Sequence, residues 1–177
     1  MKSIRKLVVD ASIARAAGDV SLHPVSASCR ETLRAVESLY SIFCPILNRE
    51  WKKHESAYSR SWRVKMVQQG RVIFISEDTK IQSFLDHIEQ STAGISAKRA
   101  MEKDAHLVSA SMLGDKIILA LDETVRKLFI EHCFAYKGMG GIIWSNPMLE
   151  ADKTLAWLKG GAKRGERSMS VTKRGKI

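Results

Sequence analysis

The sequence predicts an α/β fold built on a mostly parallel central sheet. Three observations carry that expectation. Short, unbroken apolar runs recur along the chain: "KLVV" before Asp10, "RVIFIS" at 71–76, "KIILAL" at 116–121 and "GIIW" at 141–144. Segments with helical apolar spacing separate these runs. The runs do not alternate apolar with polar residues, so both faces of each strand are expected to be buried, as in parallel sheets covered by helices. The 177 residues, 45% of them hydrophobic, suffice for one domain with a real core, and no internal repeat divides them.

The elements follow in order. Residues 5–9, "RKLVV", read as a strand that ends at Asp10. Residues 26–39 read as a helix with Ser26 or Ser28 as N-cap. "YSIFC" is a short strand. Pro45 suits a first helical turn and opens the helix "PILNREWKKHESAY", and a further helix covers 60–69. After the strand at 71–76, "TKIQSFLDHIEQ" is helical, with Leu85 and Ile88 in phase with Ile81. Residues 96–113 are helical again and stop at Gly114. The strand 116–121, the helix "ETVRKLFIEHC", the strand 141–144 and a helix at 148–158 complete the domain. It is expected to span 1–158, with 159–177 as a basic, flexible tail.

The charge is +10, and its distribution matters more than its size. The Gly- and Ser-rich stretch 159–177 holds seven Lys/Arg, among them Lys163, Arg164 and Arg167, against one Glu. A second basic stretch, 49–71, holds seven Lys/Arg, including Lys52, Lys53 and Arg63, against Glu50 and Glu55. Trp51, Tyr58 and Trp62 interleave with it. Cations with stacking aromatics suit RNA or another single strand. A solvated helix face and a solubilising tail would look the same. No apolar run approaches the length of a membrane helix. Asp10 and Arg15 interrupt the N-terminal apolar run, against a signal peptide. Cys29, Cys44 and Cys133 are odd in number and lack metal-ligand spacing, which points to a reducing cytoplasm.

Three carboxylates hold the chemistry. Asp10 and Asp122 stand at the carboxyl ends of two strands, where open α/β sheets form their sites. Asp104 is placed near the start of the helix that feeds the strand 116–121. A right-handed crossover brings that helix's start to the same edge. Converging carboxylates repel and call for a cation, and Mg²⁺ with one or two carboxylates is the usual solution. Each residue also has a purely structural reading: a turn for Asp10, a dipole-favoured helix start for Asp104, an N-cap for Asp122.

"LVVDAS", followed by "KDAHLVSASMLGDKIILALDETVRKLF", resembles the PIN-domain family, metal-dependent nucleases of which many are ribonucleases and many bacterial toxins. The resemblance covers roughly residues 5 to 158. It implies a Rossmann-like three-layer α/β/α sandwich. It matches Asp10 and Ser12 to the first motif, with Ser12 supporting the acid. Asp104, Ala105, Leu107 and Ala110 match the third motif, Asp122 the fourth acid, and Phe129 an apolar position after it. The second acid is a Glu on a helix after a short strand: Glu50 is the choice, with Glu37 and Glu55 as alternatives. Implied with these are Mg²⁺ or Mn²⁺ held by Asp10, Glu50, Asp104 and Asp122, and RNA as substrate. An antitoxin partner and a homodimer are open expectations. Ala120 stands where many members carry Thr or Ser, and the chain is longer than the compact toxins.

Other motifs are weaker. "GMGG" at 138–141 precedes a strand, unlike a phosphate loop, so a flexible connection is expected. The histidines lack ligand spacing and are expected mostly at the surface. Trp144 and Trp157 suit packing. A haloacid-dehalogenase-type phosphatase would need a second Asp where Ser12 stands. A non-catalytic RNA-binding or interaction module is the alternative in which the acids are structural.

Overall fold

The computed structural model describes residues 4–18, 23–76 and 79–165. Within these, the chain runs β1 (Lys6–Val9), α1 (Ala11–Ala16), α2 (Pro24–Val36), β2 (Tyr40–Phe43), α3 (Pro45–His54), α4 (Ala57–Gln68), β3 (Val72–Phe74), α5 (Ile81–Gln90), α6 (Ile95–Met112), β4 (Ile117–Leu119), α7 (Glu123–His132), β5 (Ile143–Ser145) and α8 (Ala151–Lys159). The strands form one sheet in the order β3-β2-β1-β4-β5, and every pairing is parallel. The registers Lys6↔Tyr40 and Val8↔Ile118 put the central strand β1 between β2 and β4.

The layers follow from handedness. The chain first steps from β1 to β2 to β3, then crosses back to β4 and moves on to β5. Right-handed crossovers in opposite directions put their helices on opposite faces. Accordingly α2 packs with α4 and α8, while α6 packs with α5, α7 and the central strands. The result is a three-layer α/β/α sandwich of Rossmann-like order. Strand order reverses between β1 and β4, so the crevice for a ligand opens at their carboxyl ends.

The central strands are buried as their apolar runs predict, with Leu7, Val8, Val9, Ile117, Ile118 and Leu119 inaccessible. The edge strand β3 departs from that pattern: Phe74 is 53% exposed, because a strand at the rim has a covered neighbour on one side only. Several boundaries also moved. The short helix α1 lies in a stretch with no helix expected. The helix α2 starts at Pro24 after His23, not at a Ser N-cap, since Pro fits the first turn. The helix expected from 45 to 58 ends at His54, where Glu55 adopts an extended backbone and Ser56 caps α4.

Gly114 does follow α6, but space rather than conformation requires it. A Cβ there would lie 2.5 Å from Ile42 Cδ1 and 2.9 Å from the Lys6 carbonyl oxygen. The glycines at 138–141 form a turn before β5, with Gly141 in the left-handed region at φ 84° and Met139 buried. Packing also continues past residue 158: Ala162 is buried, and the Trp157 indole N–H donates to the Lys163 carbonyl over 2.9 Å.

Candidate carboxylate site

Asp10, Glu50, Asp104 and Asp122 line one cavity of about 200 Å³, together with Ala11, Ser12, Arg15, His54 and Lys103. It sits at the β1/β4 switch point. Asp10 follows the last residue of β1 and is held there by its backbone N–H, which donates to the Leu119 carbonyl over 2.9 Å. Asp122 begins α7. Two bonds steady the peptide before it: the Leu121 N–H donates to Ser12 Oγ over 3.3 Å, and Asn146 Nδ2 donates to the Leu121 carbonyl over 3.0 Å. The Ser12 hydroxyl in turn donates to Asp10 Oδ2 in a short hydrogen bond, and the Ser12 N–H donates to the same oxygen over 3.2 Å. One hydroxyl thus ties the ends of β1 and β4 together, beside the site where Ala120 lacks one.

Glu50 is the Glu that reaches the cavity. Trp51 explains why: its indole N–H donates to the Val9 carbonyl over 2.8 Å, which hangs α3 from the end of β1 and sets Glu50 beside Asp10. His54, one turn later on the same helix face, joins the lining. The two alternatives are engaged elsewhere. Glu37 pairs with Lys65 at 2.6 Å, and Glu55 takes a two-pronged contact from Arg63 at 2.8 Å for each bond.

Asp104 lies in the middle of α6, not at its start. At 1.5 Å per residue, the nine residues from Asp104 to Met112 span about 13 Å, roughly the height of β4 with its turns. Nine residues of α6 precede Asp104, and α5 packs against this helix. A helix-start role through the macrodipole is excluded for this residue.

The electrostatics follow from crowding. Burial raises the Asp104 pKa to about 6, assisted by the charges of Asp10 and Asp122 and opposed by His106 and Lys103. Asp10 is also raised: burial and Glu50 push it up, while its bonds to Ser12 and the nearby His106 pull it down. For Glu50, burial acts upward, but His106, Lys103 and His54 outweigh it and hold the carboxyl below its ordinary value.

His106 is the residue the sequence did not flag. It is 1% exposed, its Nδ1 donates to the Lys103 carbonyl over 3.1 Å, and its Nε2 lies 3.2 Å from Glu50 Oε2. A surface position was expected. The available signal was its place in "DAHLV", between residues that pack on the sheet. Arg15 and Lys103, exposed at the rim, were likewise not singled out.

The expected nucleic-acid contacts divide. Lys52 and Lys53 are exposed in the last turn of α3 but do not line the cavity. Trp62 is not available for stacking: it is 3% exposed, stacks on Trp51 with centroids 5.5 Å apart, and donates its indole N–H to the Leu33 carbonyl over 2.7 Å. Trp51 is fully buried. Arg63 is 15% exposed and occupied by Glu55. Lys163 and Arg164 stand at the amino-terminal edge of the sheet, away from the carboxylates. Arg167 lies outside the described residues.

The donor set limits how a divalent ion could be held. Among the described residues, no group of three His, Cys, Asp or Glu side chains is arranged to hold a metal ion by itself. An all-protein cage is therefore a poor fit. A Mg²⁺-type ion, held by one or two carboxylates with water and substrate phosphate, does fit: the lining offers hard oxygen donors, and repulsion around Asp104 favours a cation there. Asp122 also caps α7, its Oδ1 accepting from the Val125 N–H over 2.9 Å, and Asp10 caps α1.

The chain matches no family model, no characterised protein and no solved structure in comparisons with each. No helix among the described residues is long and apolar enough to cross a membrane.

Proposed function

We propose that the chain is a divalent-metal-dependent endoribonuclease that hydrolyses RNA phosphodiester bonds, in line with its resemblance to PIN-domain nucleases. One observation carries this reading. Carboxylates from four distant segments, residues 10, 50, 104 and 122, line a single cavity at the switch point, under a rim of Arg15, Lys103 and His54. Acids with the cations Arg15 and Lys103 beside them match a phosphodiester: the cations attract the phosphate, and the acids attract an ion between them.

Asp10 and Asp104 would hold Mg²⁺ or Mn²⁺, with Glu50 and Asp122 flanking. When bound, such an ion polarises the phosphodiester and favours deprotonation of an attacking water. The chain's own residues do the rest. Ser12 orients the Asp10 carboxylate. His106 packs 3.2 Å from Glu50. Arg15 and Lys103 neutralise the substrate phosphate. A second cavity, of about 520 Å³, shares Ser12, Arg15 and Asp122 with the first and continues over Glu123 and Thr124. A groove continuing past the acids over Glu123 and Thr124 suits a strand that extends beyond the scissile bond, hence internal cleavage. An antitoxin partner and a homodimer remain proposals that follow from the resemblance alone.

The test is cleavage of single-stranded RNA by the purified chain. Activity is expected with Mg²⁺ or Mn²⁺ and not in excess EDTA. Asp10→Asn, Asp104→Asn and Asp122→Asn should each remove most turnover while the fold persists. Full activity in all three variants would overturn the site. Hydrolysis confined to small phosphomonoesters would favour the phosphatase alternative, and RNA binding without any cleavage the non-catalytic module.

A further inference from the structure

The sheet's other end carries a second cluster that the carboxylate site does not use. A cavity of about 680 Å³ is lined by Arg5, Lys159, Lys163 and Arg164, with Ile4, Ser38, Leu39, Gly160 and Gly161 completing its walls. Arg5 directly precedes β1, and Leu39 directly precedes β2, so this cavity lies at the amino edge. Asp10 directly follows β1. Arg5 and Asp10 are five residue steps apart along extended chain, about 17 Å at 3.3–3.4 Å per residue.

The cations here are positioned. Arg5 is held by Asp115 at 2.6 Å, and the Lys6 N–H donates to the same carboxylate over 2.8 Å. One bond to Asp115 engages one of the five N–H donors of the guanidinium. Arg164 donates to the Gly141 carbonyl over 2.6 Å, which fixes its side chain across the turn before β5. Lys163 is anchored through its carbonyl to Trp157. Among the lining residues there is no carboxylate and no aromatic ring. Cations entering from the start of β1 and from the end of α8 suit a row of phosphates better than one anion. With no aromatic platform in the lining, the groups these cations meet first on a single strand are its phosphates.

We infer that this amino-edge groove is an anchoring site for the sugar–phosphate backbone of single-stranded RNA, separate from the carboxylate pocket and blind to sequence. The inference rests on the reading of RNA as substrate. It has a geometric consequence: one strand can occupy groove and pocket together only by running the height of the sheet and around its edge. Short RNA reaches one site, longer RNA both. Affinity should therefore climb with length beyond what the pocket alone supports.

The experiment uses the full chain in EDTA, so that binding is read without cleavage. Labelled oligouridylates of about 5 and about 20 nucleotides bracket the usual size of single-strand sites. Wild type is compared with Lys159→Gln/Lys163→Gln/Arg164→Gln, after circular dichroism has shown the variant folded; if it is not, Lys159→Gln/Lys163→Gln replaces it. For wild type, the longer RNA should bind tighter with a steeper salt dependence. In the triple variant the log–log salt slope for the longer RNA should flatten by about 2 units, from roughly 0.7 per lost phosphate contact. The affinity ratio between the two lengths should fall with it. An unchanged slope and ratio would overturn the groove's role. So would binding to vesicles of anionic phospholipid that is lost in the variant while RNA binding persists. A chain that shows the length effect yet never cleaves RNA with Mg²⁺ would leave the groove standing and remove the nuclease reading; cleavage with no length effect would do the reverse.

Discussion

Replacing Asp104 by Asn should stabilise the protein at neutral and alkaline pH, at the expense of its proposed activity. The carboxyl ionises near its ordinary 3.8 in the unfolded chain and near 6 in the fold. Between those values the folded state binds more protons than the unfolded one, so stability falls as pH rises through that window and stays lower above it. The gap of about 2 units corresponds to about 3 kcal/mol at 1.36 kcal/mol per unit. Asp104 is partly exposed, and solvent screening reduces the recoverable part to about 1–2 kcal/mol. Asn has nearly the same shape and no charge to repel Asp10 and Asp122. For a chain of this size the melting midpoint should rise by about 3–6 °C at pH 8. At about pH 4 the folded carboxyl is protonated and the unfolded one roughly half so, and the gain should shrink to a small part of its value at pH 8. Thermal scans of both proteins in EDTA from pH 4 to 8 read this directly. A midpoint gap that does not depend on pH, or a variant less stable than wild type at pH 8, would refute the crowding of these aspartates.

Four further outcomes follow from the same geometry. Millimolar Mg²⁺ should raise the wild-type midpoint by binding only the folded state, and raise that of Asp104→Asn less; equal shifts would deny Asp104 a part in binding the ion. Glu50→Gln should cut RNA cleavage by an order of magnitude or more, whereas Glu37→Gln, whose partner Lys65 sits on the surface, should leave it near wild type. Trp62→Ala should lower stability by about 3–5 kcal/mol in urea titration, as expected for a buried indole, without flattening the salt dependence of RNA binding. Gly114→Ala should cost about 1–3 kcal/mol by forcing a methyl against the Lys6 carbonyl; a neutral result would mean that the turn yields.

Much of the architecture was legible in the sequence because its signals are local. Apolar runs of four to six residues marked four of the strands, and proline at 45 marked the start of a helix. Parallel strand direction put Asp10 and Asp122 on one edge before any contact was known. Asp104 does lie beside Asp10 and Asp122, but in the middle of its helix rather than near the start, since α6 begins nine residues earlier, at Ile95. The remaining misplacements share a cause: the partner is remote in sequence. Trp62 meets Leu33, 29 residues away, and is lost to RNA. Arg63 turns back across a helix break to Glu55. His106 meets Glu50 through the packing of α6 against α3, and of the three candidate glutamates only Glu50 is among the residues lining the cavity. Composition announced a basic C-terminal stretch; only the path of α8 put its root at the end of the sheet opposite the carboxylates. Periodicity reports which face of an element is buried, because that depends on neighbours three or four residues away. Which side chain meets which across elements depends on how the layers dock, and that is decided by the tertiary structure.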